Sequence, residues 1–160
     1  MTERESESAP PALVSRGWRR LFLVEVPLTL ATCVYWLFFA EQFVETMFGA
    51  GAASPAALAL VAQMTGVVLS LVVWFYGRWL SSGRVEVRAF RYLQEGFAAG
   101  DVVLIALAID ALRRGVGEPA AWAAQAAMAG SWLAIRVVFL VAVRPRVPAP
   151  VPSMELSAAP

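Results

Sequence analysis

The apolar positions of this chain gather into four long runs separated by short polar breaks. A helix needs roughly 20 mostly apolar residues to cross the hydrocarbon of a bilayer. Four windows reach that length: 21–47, 55–80, 89–112 and 119–143. The breaks carry turn and helix-start signals. "GAGAASP" (Gly49 to Pro55) closes with Ser54 as N-cap and Pro55 at the first helical position. "SSGR" (Ser81 to Arg84) separates the second run from the third, and "RRGVGEP" (Arg113 to Pro119) again ends on a proline suited to starting a helix. Arg144-Pro145 stops the fourth. Short connections make sequential helices antiparallel neighbours. The expectation is an all-α fold, an integral membrane four-helix up-down bundle. The first run is read as a retained span, since it far exceeds a 7–15-residue signal core and contains Glu25.

Within each run the polar and tryptophan side chains recur at helical spacing. The first aligns Glu25, Thr29, Thr32 or Cys33, and Trp36; the second Gln63, Gly66, Ser70, Trp74 and Gly77. The third aligns Gln94, Ala98, Asp101 and Ile105, with Glu95 beside them; the fourth Gln125, Ala129, Trp132 and Arg136. Ionisable residues inside a membrane are costly and turn toward the bundle interior, so the four stripes predict a polar seam along its centre. Arg136 lies eight residues from the end of its span, about 12 Å at the helical rise. Glu25, Glu95 and Asp101 fall in the same half, and Asp101 matches its depth best. Gln63 and Gln125 are expected to face each other toward the opposite side. Three roles stand open for Arg136: fixing helix register through an ion pair, snorkelling to the headgroups, or building a ligand pocket.

Composition agrees with the pattern. The chain is 59% hydrophobic and 16% charged, against about half and a quarter for soluble domains. A net charge of +1 argues against a nucleic-acid binder. With no histidine, the usual haem and zinc ligand and the usual proton shuttle are missing, and no cofactor or metal site is expected. A single cysteine, Cys33, excludes an internal disulfide or a CxxC pair. All thirteen basic residues are arginine. Ten of them fall on one side of the predicted spans: Arg4, Arg16, Arg19 and Arg20, Arg78, Arg84, Arg88 and Arg91, and Arg144 and Arg146. Only Arg113 and Arg114 fall on the other. The positive-inside rule then places both termini in the cytoplasm, with the chain in the cytoplasmic membrane.

Residues 1–20 form a cytoplasmic tail ending in an interfacial basic and aromatic segment, "SRGWRRLF". Residues 21–143 form the bundle, and 144–160 a proline- and alanine-rich cytoplasmic tail. Both polar tails lack the apolar surface to fold. Trp18, Trp79 and Trp122 suit the interface; Trp36, Trp74 and Trp132 fall on the seam. "GFAAG" (Gly96 to Gly100) is a GxxxG that would let helices approach within the bundle.

The layout resembles small bacterial four-helix membrane proteins of the DoxX-like type. The resemblance is carried by Glu25 early in the first helix, "MFG" (Met47 to Gly49) at its end, Gly66 in the second, and "GD" (Gly100-Asp101) in the third. It implies a fold and no particular activity. A link to thiol redox partners finds no support in one cysteine.

The leading expectation is a non-enzymatic accessory subunit, or a binder of a lipophilic, isoprenoid-like ligand. Its implied partners are membrane lipids and a larger membrane complex or further copies of the chain. The seam residues are Glu25, Trp36, Gln63, Trp74, Glu95, Asp101, Gln125, Trp132 and Arg136. The alternative is a membrane isomerase or cyclase working through Asp101, Glu25 and Glu95. A small transporter is disfavoured for want of an inverted repeat.

Overall fold

The computed structural model describes residues 11–49, 51–52 and 54–143. Much of both predicted tails, with Arg4, Arg144 and Arg146, lies outside the described residues. The described chain is helical: α1 (Arg16–Phe38), α2 (Ala40–Phe48), α3 (Pro55–Ser81), α4 (Val87–Arg114) and α5 (Pro119–Ala142). α1, α3 and α5 are long and apolar enough to cross a membrane. α4 is the longest helix but carries Glu95, Asp101 and Asp110 along its length.

Both proline-marked starts coincide with helix starts, at Pro55 and Pro119. Ser54 precedes α3 but sits in the left-handed region at φ 54° and makes no side-chain capping bond. At the other end, Leu13 and Glu86 form an isolated antiparallel bridge. The Val14 amide donates to the Val85 carbonyl, and the Val87 amide to Ala12, both at 2.8 Å. This pair of bonds ties the entry of α1 to the entry of α4.

The first predicted run, 21–47, is not one helix. It breaks at Phe39 (φ −126°, ψ 33°), between α1 and α2. Neither glycine nor proline marks the break; tertiary packing accounts for it. After the bend Ala40 and Val44 pack on Ala59 and Ala62 of α3, where small side chains allow close approach. The end of α2 reaches the loop before α5. There the Glu118 amide donates to the Thr46 carbonyl at 2.9 Å, and Trp122 Nε1 donates to the Met47 and Val116 carbonyls, each at 2.9 Å. Gly117 has φ 66°, and a Cβ there would run into the Met47 carbonyl. A straight α1 would carry Thr46 and Met47 away from these partners.

Pairings fix the relative directions. α1 lies on α3 with Gly66 against Cys33 and Leu37, and Gly77 against Val26, so the two run antiparallel. α4 and α5 pair antiparallel too, with Asp101 meeting Arg136 and Arg91 reaching the Leu140 and Val143 carbonyls. Arg91 thereby supplies donors to the orphan carbonyls at the end of α5.

Where the four long helices meet, Phe22 (α1), Phe90 (α4) and Phe139 (α5) form a three-ring cluster. Their centroids are 5.1–5.5 Å apart with edge-to-face geometry. Leu80 and Tyr76 of α3 close the fourth side, and Trp18 and Trp79 pack around it. Two of the three tryptophans expected at the interface are thus part of this packing. Outside, the polarity of a soluble protein is reversed. Large apolar side chains such as Leu60, Val68, Phe75, Val103, Val138 and Val141 are exposed, while Glu25, Gln94 and Arg136 are buried. That distribution suits a hydrocarbon solvent.

Candidate functional site

One helical turn beyond the phenylalanine cluster, each long helix turns a polar group inward. From Phe22 the next turn of α1 brings Glu25; from Phe90 the next turn of α4 brings Gln94. Running backward along α5 and α3, Phe139 leads to Arg136 and Leu80 to Tyr76. The i to i+3 or i+4 spacing keeps each pair on one face. The result is an apolar layer below and a polar layer above it.

Arg136 is the hub of the polar layer. Its Nε donates to Asp101 Oδ2 at 2.9 Å, and Nη1 donates to Glu25 Oε2 at 3.1 Å and to Gln94 Oε1 at 3.0 Å. Nη2 donates to Glu25 Oε1, making the Glu25 contact two-pronged. Gln94 is held in turn, its Nε2 donating to Tyr76 Oη at 2.9 Å. The rings of Phe97 and Trp132 lie 5.2 and 5.7 Å from the guanidinium carbon, within cation–π range. Arg136 is 3% exposed and Gln94 fully buried. A charge this deep is tolerable only when paired and hydrogen-bonded, and the network meets both conditions.

Above the layer lies a cavity of about 210 Å³ between the α1–α3 and α4–α5 pairs. Glu25 and Asp101 stand at its polar end, with Thr29, Trp36, Gln125 and Trp132 along the walls. Its rim includes Leu28, Val72, Leu104 and Met128, all substantially exposed on the outer surface. The opening therefore faces sideways, among aliphatic side chains.

Of the nine predicted seam residues, Glu25, Asp101 and Arg136 meet directly, and Trp36, Gln125 and Trp132 join them at the cavity. Three do not join. Trp74 is 60% exposed on the outer face of α3. The inward line of that helix is Ala62, Gly66, Val73, Tyr76 and Leu80, about a quarter turn from the stripe drawn through its polar residues. Glu95 points away from Arg136 and pairs with Arg91 at 3.5 Å, its side chain 47% exposed. Gln63 is exposed, and its Nε2 donates to the Leu37 carbonyl at 3.4 Å rather than turning to Gln125. Gly96 and Gly100 are exposed, with no atom within 4 Å of a Cβ built on either. The two glycines of "GFAAG" therefore mediate no close helix approach within the described chain, and the segment's inward contact is made by Phe97 against Tyr76 and Arg136.

Tyr76 and Phe97 were missed as site residues. Both belong to the apolar repeat that continues from the phenylalanine layer, a signal the search for polar stripes passes over. Among the described residues, no group of three histidine, cysteine, aspartate or glutamate side chains gathers in a form that would hold a metal.

Apolar helices of spanning length, an apolar exterior and an inward ion cluster define a multi-pass helical membrane protein. No family model, curated protein or solved structure matches the chain.

Proposed function

We propose that the protein is a non-enzymatic subunit of the bacterial cytoplasmic membrane that holds a lipophilic molecule in the cavity beside Arg136. In this reading α4 is the fourth span of an up-down four-helix bundle. Two features support its insertion: Asp101 is paired inward, and its terminal charges pair locally, as Arg114 with Asp110 at 2.9 Å. Arginine bias puts both termini on the cytoplasmic side. The DoxX-like layout, carried by Glu25, Met47 to Gly49, Gly66 and Gly100-Asp101, is part of the same proposal.

The observation that carries the functional reading is the cavity itself. It is mostly apolar along its walls, carries the carboxylates of Glu25 and Asp101, and is open sideways where acyl chains would lie. Such a shape admits an apolar molecule from the bilayer and fixes its orientation through a few polar groups. Native mass spectrometry after gentle solubilisation tests it: a copurifying small molecule of defined mass is expected. Loss of that molecule when Ala129 at the cavity wall is replaced by Phe would assign it to the cavity. A species that persists in Ala129→Phe, or none at all, counts against the reading. The enzymatic alternative retains Glu25 and Asp101 in the cavity, while Glu95 stands apart at the surface.

A further inference from the structure

We infer that the cavity is selective for a lipophilic cation, an amphiphile whose ammonium or similar head group docks against Asp101. This rests on the lipophilic-ligand reading and names the chemistry of the ligand.

The argument begins with charge. Two carboxylates, Glu25 and Asp101, face one guanidinium; Gln94 and Tyr76 are neutral partners. With both carboxylates ionised the cluster carries one net negative charge inside a low-dielectric layer, where an uncompensated charge is expensive. The two acids also share Arg136 unequally. Glu25 takes two of its donors, one on each carboxylate oxygen, whereas Asp101 receives a single bond, on Oδ2. Among the described residues no donor reaches Asp101 Oδ1, although Asp101 lines the cavity. The unspent acceptor and the excess charge therefore coincide on one residue at the cavity wall.

The surroundings favour a cation further. Phe97 and Trp132 are already engaged by Arg136. Trp36, whose ring packs on Phe43 at 5.4 Å, also lines the cavity, and aromatic rings are compatible with a second positive group. The remaining walls are mostly apolar, with Thr29, Thr32 and Gln125 among them, and open toward the outer surface, which suits the tail. An anionic head group would meet Asp101 and Glu25 with like charge, so fatty acids and phosphates are selected against.

The test uses the full-length protein in lipid nanodiscs and follows tryptophan fluorescence, with empty nanodiscs subtracted for partitioning. The probes are decylamine, decanol and decanoate, which share a tail and differ in head-group charge. The amine is expected to saturate at about tenfold lower concentration than the alcohol, with decanoate weakest. In Asp101→Asn the amine should fall to the level of the alcohol, and in Asp101→Glu the preference should persist. Saturable binding of amine and alcohol with equal affinity, or tighter binding of decanoate, would overturn the cation inference while leaving the lipophilic-ligand reading intact. Failure of all three probes to saturate removes both. Should Asp101→Asn not fold, the ranking of the three probes on the unmodified chain decides alone.

Discussion

Replacing Arg136 with methionine, a side chain of similar reach without the charge, asks what the ion cluster is worth. The substitution leaves Glu25 and Asp101 buried side by side with no cation. Breaking a buried pair by removing one partner typically costs about 3–5 kcal/mol. Here one guanidinium serves two carboxylates and Gln94, so the upper part of that range is expected. The two acids should respond differently. Glu25→Gln removes the two-pronged contact but leaves Arg136 balanced by Asp101, for an expected loss of about 2–3 kcal/mol. Asp101→Asn weakens one charge-assisted bond to a neutral one and also removes the excess negative charge, so the two effects oppose each other and the net loss should stay within about 1 kcal/mol. Unfolding titrations in mixed micelles, followed by circular dichroism, would rank the three. The triple variant Glu25→Gln, Asp101→Asn, Arg136→Met should recover much of the stability lost in Arg136→Met alone, because no charge is left unpaired. An Arg136→Met protein as stable as the parent, or an Asp101→Asn protein as damaged as Arg136→Met, would refute this account of the cluster.

Two further substitutions probe the packing around it. A Cβ at Gly66 would lie 3.1 Å from the Cys33 carbonyl and 3.2 Å from Leu37 Cγ, so Gly66→Ala should destabilise by about 1–3 kcal/mol, whereas Gly96→Ala and Gly100→Ala should stay within about 0.5 kcal/mol; thermal unfolding of the three in one detergent gives the comparison. Trp122→Phe keeps a ring but removes the Nε1–H shared by the Met47 and Val116 carbonyls, for an expected loss of about 1–2 kcal/mol and faster proteolysis in the 115–118 loop.

How far the site is legible from the chain depends on the helix. On α1 and α5 the ionisable residue itself marks the inward face, because a charge cannot face hydrocarbon. Glu25 lies in the same half as Arg136, and in the structure they meet. On α3 the one charge, Arg78, lies in the last turn and marks no inward face. The helix's inward face is made of Ala62, Gly66, Val73, Tyr76 and Leu80, and reading inwardness from Trp74 and Gln63 turns the helix by about a quarter turn. An indole tolerates an apolar outer surface, as Trp74 does. On α4 the adjacent pair Gln94 and Glu95 differ by about 100° in direction. The neutral amide is buried and the carboxylate turns out to Arg91, a choice set by the position of α5. The bend at Phe39 leaves no local trace either, since α2 is placed by its contacts with Ala59, Ala62 and the loop before α5. Prolines 55 and 119 fix their helix starts through their own geometry and needed no tertiary information.

Everything rests on hydrocarbon surrounding all four long helices, with α4 the least apolar of them. Nitroxide labels at Val68, Val103 and Val138, exposed on α3, α4 and α5 respectively, can be read in bilayers for collision with oxygen and with a water-soluble nickel relaxant. High oxygen and low nickel accessibility at all three positions is the predicted result. Ready access of nickel to Val103 would contradict the account, because it would put α4, and with it Asp101, in water.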